Sequence, residues 1–236
     1  MISLKNWDNK TWLSSKKYIT SFNNFILKQK KLNRYSKVLD IGCGRGRILE
    51  DLSKRLQLIN KPIGIDIENH KDKSKKILFK KIDGLTFISK TKNTFDLILI
   101  KQTIHLFKKN QINKFLQHCK KKLNRNGKIL ILSLDPDKNE IPMFKLMNKT
   151  LEKSLKRDKK IFDLINNIYP KLLIKSFTYP VKILKKDYLE MIKKRYISTL
   201  LNFTKNQIID GLKEINIKYK KELIFKDNLI CMIIKK

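Results

Sequence analysis

The stretch that most constrains the fold is Val38-Leu39-Asp40-Ile41-Gly42-Cys43-Gly44-Arg45-Gly46-Arg47-Ile48. An apolar run ends in an acid, passes into glycine at every second position, and leads directly into a helical pattern. It reads as a buried strand, a tight glycine turn and a helix N-terminus. Glycine has no Cβ, so such a turn lets a ligand lie against bare backbone.

The chain beyond this turn alternates strand and helix. The first strand is expected at about 37–41. A helix follows at about 46–57, with Ile48, Leu49, Leu52 and Leu56 as its buried stripe. Ile63-Gly64-Ile65-Asp66-Ile67 reads as a second strand, 76–82 as a third and Phe95–Ile100 as a fourth. A helix at about 110–122, capped by Asn110, precedes a turn at Asn126-Gly127 and a fifth strand at 128–134. The fourth strand is apolar nearly throughout, as strands buried on both faces are. Such alternation predicts a doubly wound α/β sheet.

Before this core, 14–30 has helical periodicity, with Tyr18, Ile19, Phe22, Phe25 and Ile26 on one face. That helix either covers the sheet or forms a lid whose Trp12 and Tyr18 meet a ligand. After Asp135-Pro136, helices are expected within 142–168, at 186–200 and at 205–217, with strands at 171–179 and 228–235. Thr204 and Gln207 have the spacing of a capping box. No Pro-, Gly- or Ser-rich linker divides the chain. One domain is expected: a helical lid (1–33), a core (34–135), helical additions around a sixth strand (136–220) and a last strand (221–236).

The 236 residues include 55 basic and 21 acidic ones, a formal charge of +34, and 41% are hydrophobic. That charge suggests a polyanion as partner. However, 48 of the basic residues are Lys and only seven are Arg, spread along the whole chain. Nucleic-acid sites draw on Arg for bidentate contacts, so general compositional bias is the better explanation. The three cysteines, Cys43, Cys119 and Cys231, have neither metal nor disulfide spacing, which suits a reducing cytoplasm. No apolar run is long enough to span a bilayer, and the polar opening segment lacks the apolar stretch of a signal peptide. A cytoplasmic protein is expected, monomeric or homodimeric.

Three acids stand at strand carboxyl ends: Asp40, Asp66 and Asp83. Each alone suits a helix cap or a turn. All three in register with the glycine turn point to one crevice. There Asp66, on the neighbouring strand, can accept ribose hydroxyls and Asp83 an adenine amino group. The glycine spacing differs from the dinucleotide fingerprint G-x-G-x-x-G.

These motifs resemble a class I S-adenosylmethionine-dependent methyltransferase, in its small-molecule branch. Val38–Gly46 is similar to that family's first motif and Ile63-Gly64-Ile65-Asp66 to its acidic second-strand motif. Asp83-Gly84-Leu85-Thr86-Phe87 stands at the adenine-side acid. Phe95–His105 is similar to the fourth-strand motif, and Leu123–Lys128 to the turn into the fifth strand. The resemblance covers about 37–134. It implies a Rossmann-like, seven-stranded, mostly parallel sheet with an antiparallel last strand, and S-adenosyl-L-methionine as cofactor, leaving as S-adenosyl-L-homocysteine. The implied cofactor residues are Asp40, Gly42, Cys43, Gly44, Gly46, Asp66, Ile67, Asp83, Gly84, Lys101 and Gln102.

The methyl group would pass by in-line displacement, which asks the protein mainly for positioning. The expected acceptor is a small molecule, anionic in character, offering a carboxylate, a thiol or thiolate, or a hydroxyl. A base is needed only if the acceptor must lose a proton. His105, just past the fourth strand, is the candidate, with an ordinary pKa of about 6.5. His70 and His118 read as structural or solvated. Trp12, Tyr18, His105, Arg195 and Tyr196 are the candidate substrate contacts, with Arg195 able to clamp an anion. Two alternatives stay open: a tRNA or rRNA methyltransferase, favoured by charge, and a non-catalytic S-adenosylmethionine-binding protein. An RNA enzyme would bring an appended RNA module or an Asn-Pro-Pro-Tyr type motif, and neither is recognisable.

Overall fold

The computed structural model describes residues 11–236. Its seven strands are β1 (Val38–Ile41), β2 (Ile63–Asp66), β3 (Leu78–Lys81), β4 (Phe95–Lys101), β5 (Leu123–Leu134), β6 (Leu173–Leu184) and β7 (Glu222–Lys235). They form one sheet in the order β3-β2-β1-β4-β5-β7-β6. The pairs from β3 through β5 are parallel, and β7 runs antiparallel to both β5 and β6. The strand order reverses between β1 and β4, where a wound sheet opens a crevice beyond its carboxyl ends.

The strands supply both faces of the core. Val38, Leu97, Leu99, Leu130 and Leu132 pack into one apolar cluster, while Leu39, Ile98, Ile100, Ile129 and Ile131 pack into the other. Alternation is therefore present, but in the central strands both faces are dry, and Leu97–Ile100 and Ile129–Leu132 read as unbroken apolar runs. On the first face lie α1 (Lys16–Gln29), α2 (Arg47–Leu56), α6 (Lys185–Lys193) and α7 (Lys205–Lys218). On the second lie α3 (Gly84–Lys90) and α4 (Lys109–Lys121). The 24-residue α5 (Lys145–Ile168) spans both: Met147, Leu151 and Leu155 join the first cluster, and Ile161, Phe162 and Ile165 the second.

Several boundaries differ from the sequence reading. α3 was not anticipated; seven residues are too few to display a period, and Asp83 caps it by accepting from Thr86 N at 2.9 Å. β5 begins at Leu123, and Asn126-Gly127 is an irregularity inside the strand, with Asn126 at φ 65°. α4 starts one residue early and has Lys108, not Asn110, at its N-cap position. The helix expected at 186–200 stops at Lys193, because Arg195 takes φ 55° and the chain re-forms only as a short 3-10 turn at Ser198–Leu200. The Thr204–Gln207 capping box is present.

The helix expected as cover or lid lies on the sheet. The opening of the proposed lid, residues 1–10, lies outside the described residues. Asn23, fully buried in α1, donates to Ile48 O at 3.0 Å and to Asp51 Oδ2 at 2.8 Å, which pins α1 to α2. Asn23→Leu leaves these acceptors short of a donor and should cost about 1–3 kcal/mol in urea unfolding. A loss below about 0.5 kcal/mol would mean that apolar packing alone holds α1.

Candidate functional site

A cleft of about 650 Å³ opens at the carboxyl ends of β1, β2 and β4. The glycine turn forms its floor. Gly42 N and Cys43 N both donate to Ile65 O, at 2.9 and 3.0 Å. Gly44 N donates to Asp66 Oδ2 at 2.8 Å, and Glu68 N to Asp66 Oδ1 at 3.0 Å. Asp66 therefore ties the turn after β1 to the end of β2.

The glycines are required for separate reasons. Gly42, Gly44 and Gly46 have φ of 78°, 52° and 72°, in the left-handed region. A Cβ at Gly42 would lie 2.1 Å from Thr103 Oγ1. One at Gly46 would lie 2.2 Å from Ile77 Cδ1. One at Gly44 meets nothing within 4 Å, so that face of the turn is open. Gly46 does not line the cleft; it is the N-cap of α2 and packs on Ile77.

The remaining cofactor candidates all lie on the cleft: Asp40, Gly42, Cys43, Gly44, Asp66, Ile67, Asp83, Gly84, Lys101 and Gln102. Ile67 is 54% exposed and Leu106 63%, an apolar surface that water alone would disfavour. Asp83 accepts from Thr86 N and Thr86 Oγ1 through Oδ1. Asp40 is 2% exposed, and its Oδ1 is buried with no hydrogen-bond partner among the described residues. Burial pushes its pKa up to about 7; Lys101 opposes that rise and Asp66 adds to it. Burial likewise pushes the Cys43 thiol up, so Cys43 stays protonated and serves as a small apolar wall.

His105 lines the cleft from a 3-10 turn at Ile104–Leu106. The other four substrate candidates do not. Tyr18 is completely buried, with its ring edge-on to Phe177 and Tyr179. Trp12 is buried edge-on to Phe225. Both pack edge-on into the core, Tyr18 from α1 and Trp12 from the short 3-10 turn before it; Leu13, Ser14 and Ile19 reach the cleft instead. Arg195 and Tyr196 fall at the break after α6, away from the lining, while Ser198 two residues on lines it. The positive φ at Arg195 redirects the chain, so the helical register assumed for these residues does not hold.

Sequence reasoning missed two contributors. The first is the segment after β2. Arg45, 6% exposed, donates from Nε to both oxygens of Asp72 at 2.9 Å, and Ser74 N donates to Arg45 O. This folds the segment over the glycine turn and brings His70, read as solvated or structural, to the cleft wall, buried. The second is Asp158 on α5, 6% exposed and also on the wall. Its signal was available: Leu151, Leu155, Asp158, Phe162 and Ile165 are one helical stripe, and an acid in an apolar stripe is out of place.

Residues 38–127 match the methyltransferase domain family. The fold is similar to that of the plantazolicin methyltransferase BpumL in complex with a triazolic desmethylPZN analog and SAH. The two share 19% identity and a TM-score of 0.55 over 98% of this chain and 88% of that one. It is also similar to a SAM dependent methyltransferase from Archaeoglobus fulgidus, at 19% identity and TM-score 0.54 over 94% of this chain and 95% of that one. A putative methyltransferase from Bacillus halodurans has 13% identity and TM-score 0.52 over 92% and 99%. At such identities the likeness establishes the fold. No curated protein matches the chain in sequence.

The raised pKa of Asp40 has a consequence for stability. Its carboxyl ordinarily titrates at 3.8 and in the fold at about 7. Between these values the folded state holds a proton that the unfolded state has released, so stability falls as pH rises from about 4 to about 7. Asp40→Asn should remove this contribution. The difference in Tm between pH 5 and pH 7.5 should be smaller in the variant than in the parent protein. An equal difference would place the Asp40 carboxylate in contact with solvent.

Proposed function

We propose, for a chain that carries a methyltransferase domain in the Rossmann-like fold of S-adenosylmethionine-dependent methyltransferases, that it methylates a hydroxyl group of a small-molecule acceptor. The observation that carries this reading is the charge of the cleft. In a chain with 55 basic and 21 acidic residues, five acids line the cleft (Asp40, Asp66, Glu68, Asp83 and Asp158) against three bases. Two of those bases are engaged: Arg45 by Asp72, and Arg47 by Glu50 and the Asp72 carbonyl. The cleft is rich in acids within a protein that is strongly basic.

The residues present fit the cofactor. S-adenosylmethionine supplies an electrophilic methyl group on a cationic sulfonium. Asp40, with its orphaned buried oxygen, suits a cationic ligand. Gly44 leaves its face of the turn bare, and Ile67 exposes an apolar side chain beside Asp66 for a flat base. Asp66 retains lone pairs for hydroxyl donors beyond the two amides it binds, and Asp83 Oδ2 has capacity beside its capping role. Lys101, whose ammonium lies 5.5 Å from the Tyr18 and Phe22 ring centroids, balances Asp40.

The acidic wall also sorts the acceptors. A carboxylate would enter a cleft lined by Asp66, Glu68, Asp83 and Asp158, and like charges in a poorly solvated cleft repel. A thiolate meets the same field. A hydroxyl enters uncharged and gives up its proton only as the bond forms, for which His105 stands on the wall. The polyphosphate backbone of an RNA would be turned away from this opening, whatever the outer lysines attract.

Calorimetry with S-adenosylmethionine, with and without bulk tRNA, tests the reading. The parent chain should bind the cofactor with an affinity that tRNA does not alter, and Asp66→Ala should weaken binding by about tenfold or more, the loss of charge-assisted hydrogen bonds. Undetectable cofactor binding would overturn the assignment. Tight, salt-sensitive tRNA binding that raises cofactor affinity would favour the RNA reading.

A further inference from the structure

His105 alone makes an incomplete base. A neutral imidazole has two tautomers, and only one presents a bare nitrogen to a given point in the cleft. Something must select it. Among the described residues the His105 side chain makes no hydrogen bond, so the elements around it hold the answer. The turn at Ile104–Leu106 packs against α5, and Asp158 is the α5 carboxylate on the same cleft wall.

Asp158 is set up unlike the other acids of α5. It occupies the buried stripe, whereas Glu152 and Asp163 face outward. Arg157 donates to it from Nε at 3.0 Å and from Nη2 at 2.8 Å, and both bonds fall on Oδ1. Oδ2 accepts nothing among the described residues. Arg157, 51% exposed, occupies one oxygen of the carboxylate with two charge-assisted bonds and leaves the other for a further donor. A half-satisfied carboxyl group held in an apolar stripe costs stability and needs a partner.

We propose that Asp158 is the positioning residue for His105: its free oxygen accepts the imidazole N–H and turns the other ring nitrogen toward the acceptor hydroxyl. The proposal rests on the hydroxyl-methylating reading above. In the step it serves, the acceptor oxygen bonds to the methyl carbon as the carbon–sulfur bond breaks. That bond's electron pair goes to sulfur, the hydroxyl proton goes to the free nitrogen of His105, and His105 later releases it to solvent. The imidazolium so formed lies beside the Asp158 carboxylate, which stabilises it. The pair is not hydrogen-bonded in this structure. Such bonds are commonly long without ligands and shorten in the complex.

The charged groups acting on His105 agree with this arrangement. Burial holds its pKa below the usual histidine value, Asp158 raises it and Arg157 lowers it. At neutral pH the imidazole is therefore uncharged, the form a base requires.

The test is NMR titration of the 15N-labelled imidazole of His105 in the ligand-free parent protein, Asp158→Asn and Arg157→Gln, with the resonance identified by its loss in His105→Asn. One tautomer should dominate in the parent and become mixed in Asp158→Asn, whose His105 pKa should fall. In Arg157→Gln that pKa should rise. Opposite signs cannot come from a general loosening of α5. Unchanged tautomer populations and pKa in Asp158→Asn, or shifts of the same sign in both variants, would overturn the proposal. Should Asp158→Asn fail to fold, Arg157→Gln still decides: an unchanged or lowered His105 pKa counts against the pair. S-adenosylhomocysteine binding in the same samples separates the two readings. Its absence in the parent would defeat the methyltransferase reading and leave the titration result standing.

Discussion

The rest of the structure depends on one bond, from Gly44 N to Asp66 Oδ2 at 2.8 Å. It joins the turn that leaves β1 to the acid that ends β2. With the two amides that reach Ile65 O, it fixes a left-handed run of glycines above the edge of the sheet. From that point α2 starts in one direction and the segment held by Arg45 and Asp72 folds back in the other. A floor of backbone with no side chain, next to an anchored carboxylate, is what a nucleoside-bearing ligand needs. Asp66 thus does two jobs: it builds the turn, and its unused lone pairs face the cleft that the turn creates.

Charge is the second organising constraint. The lysines cover the outside and make the chain strongly basic, but they contribute little to the cleft. Acids gather there because strand carboxyl ends and turns favour Asp, and because Asp158 occupies a position that every neighbour on its stripe fills with hydrocarbon. The net charge therefore describes the exterior, while acids outnumber Lys and Arg along the cleft. On the proposed reading, this contrast favours a small-molecule acceptor over a polyanion.

Much of the core was legible because its signals are local. Val38–Arg47 shows strand, turn and helix start in one stretch, and the two-sided burial of Leu97–Ile100 in β4 and Ile129–Leu132 in β5 leaves unbroken apolar runs. The turn cannot be read as a list of contacts, however. Gly46 has the same spacing as Gly42 and Gly44, yet it serves the packing on Ile77 and not the cleft. The acceptor side was legible only in part, because it is assembled from distant elements. Tyr18, on α1, and Trp12, in the 3-10 turn before it, lie close in sequence to cleft residues but turn into the core, where ring packing is more favourable than exposure. Arg195 and Tyr196 were read in a helix that ends before them, at a backbone break that the sequence does not mark. Asp158 lies more than fifty residues from His105, and only the fold brings them to one wall.

The central claim is that the bare face of the glycine turn is one wall of the cofactor site. The most direct measurement is a crystal structure grown with S-adenosylhomocysteine. The account predicts density along Gly42–Gly44, with the ribose at Asp66 and the base between Ile67 and Asp83. Density elsewhere, or a ligand whose ribose avoids Asp66, would contradict it.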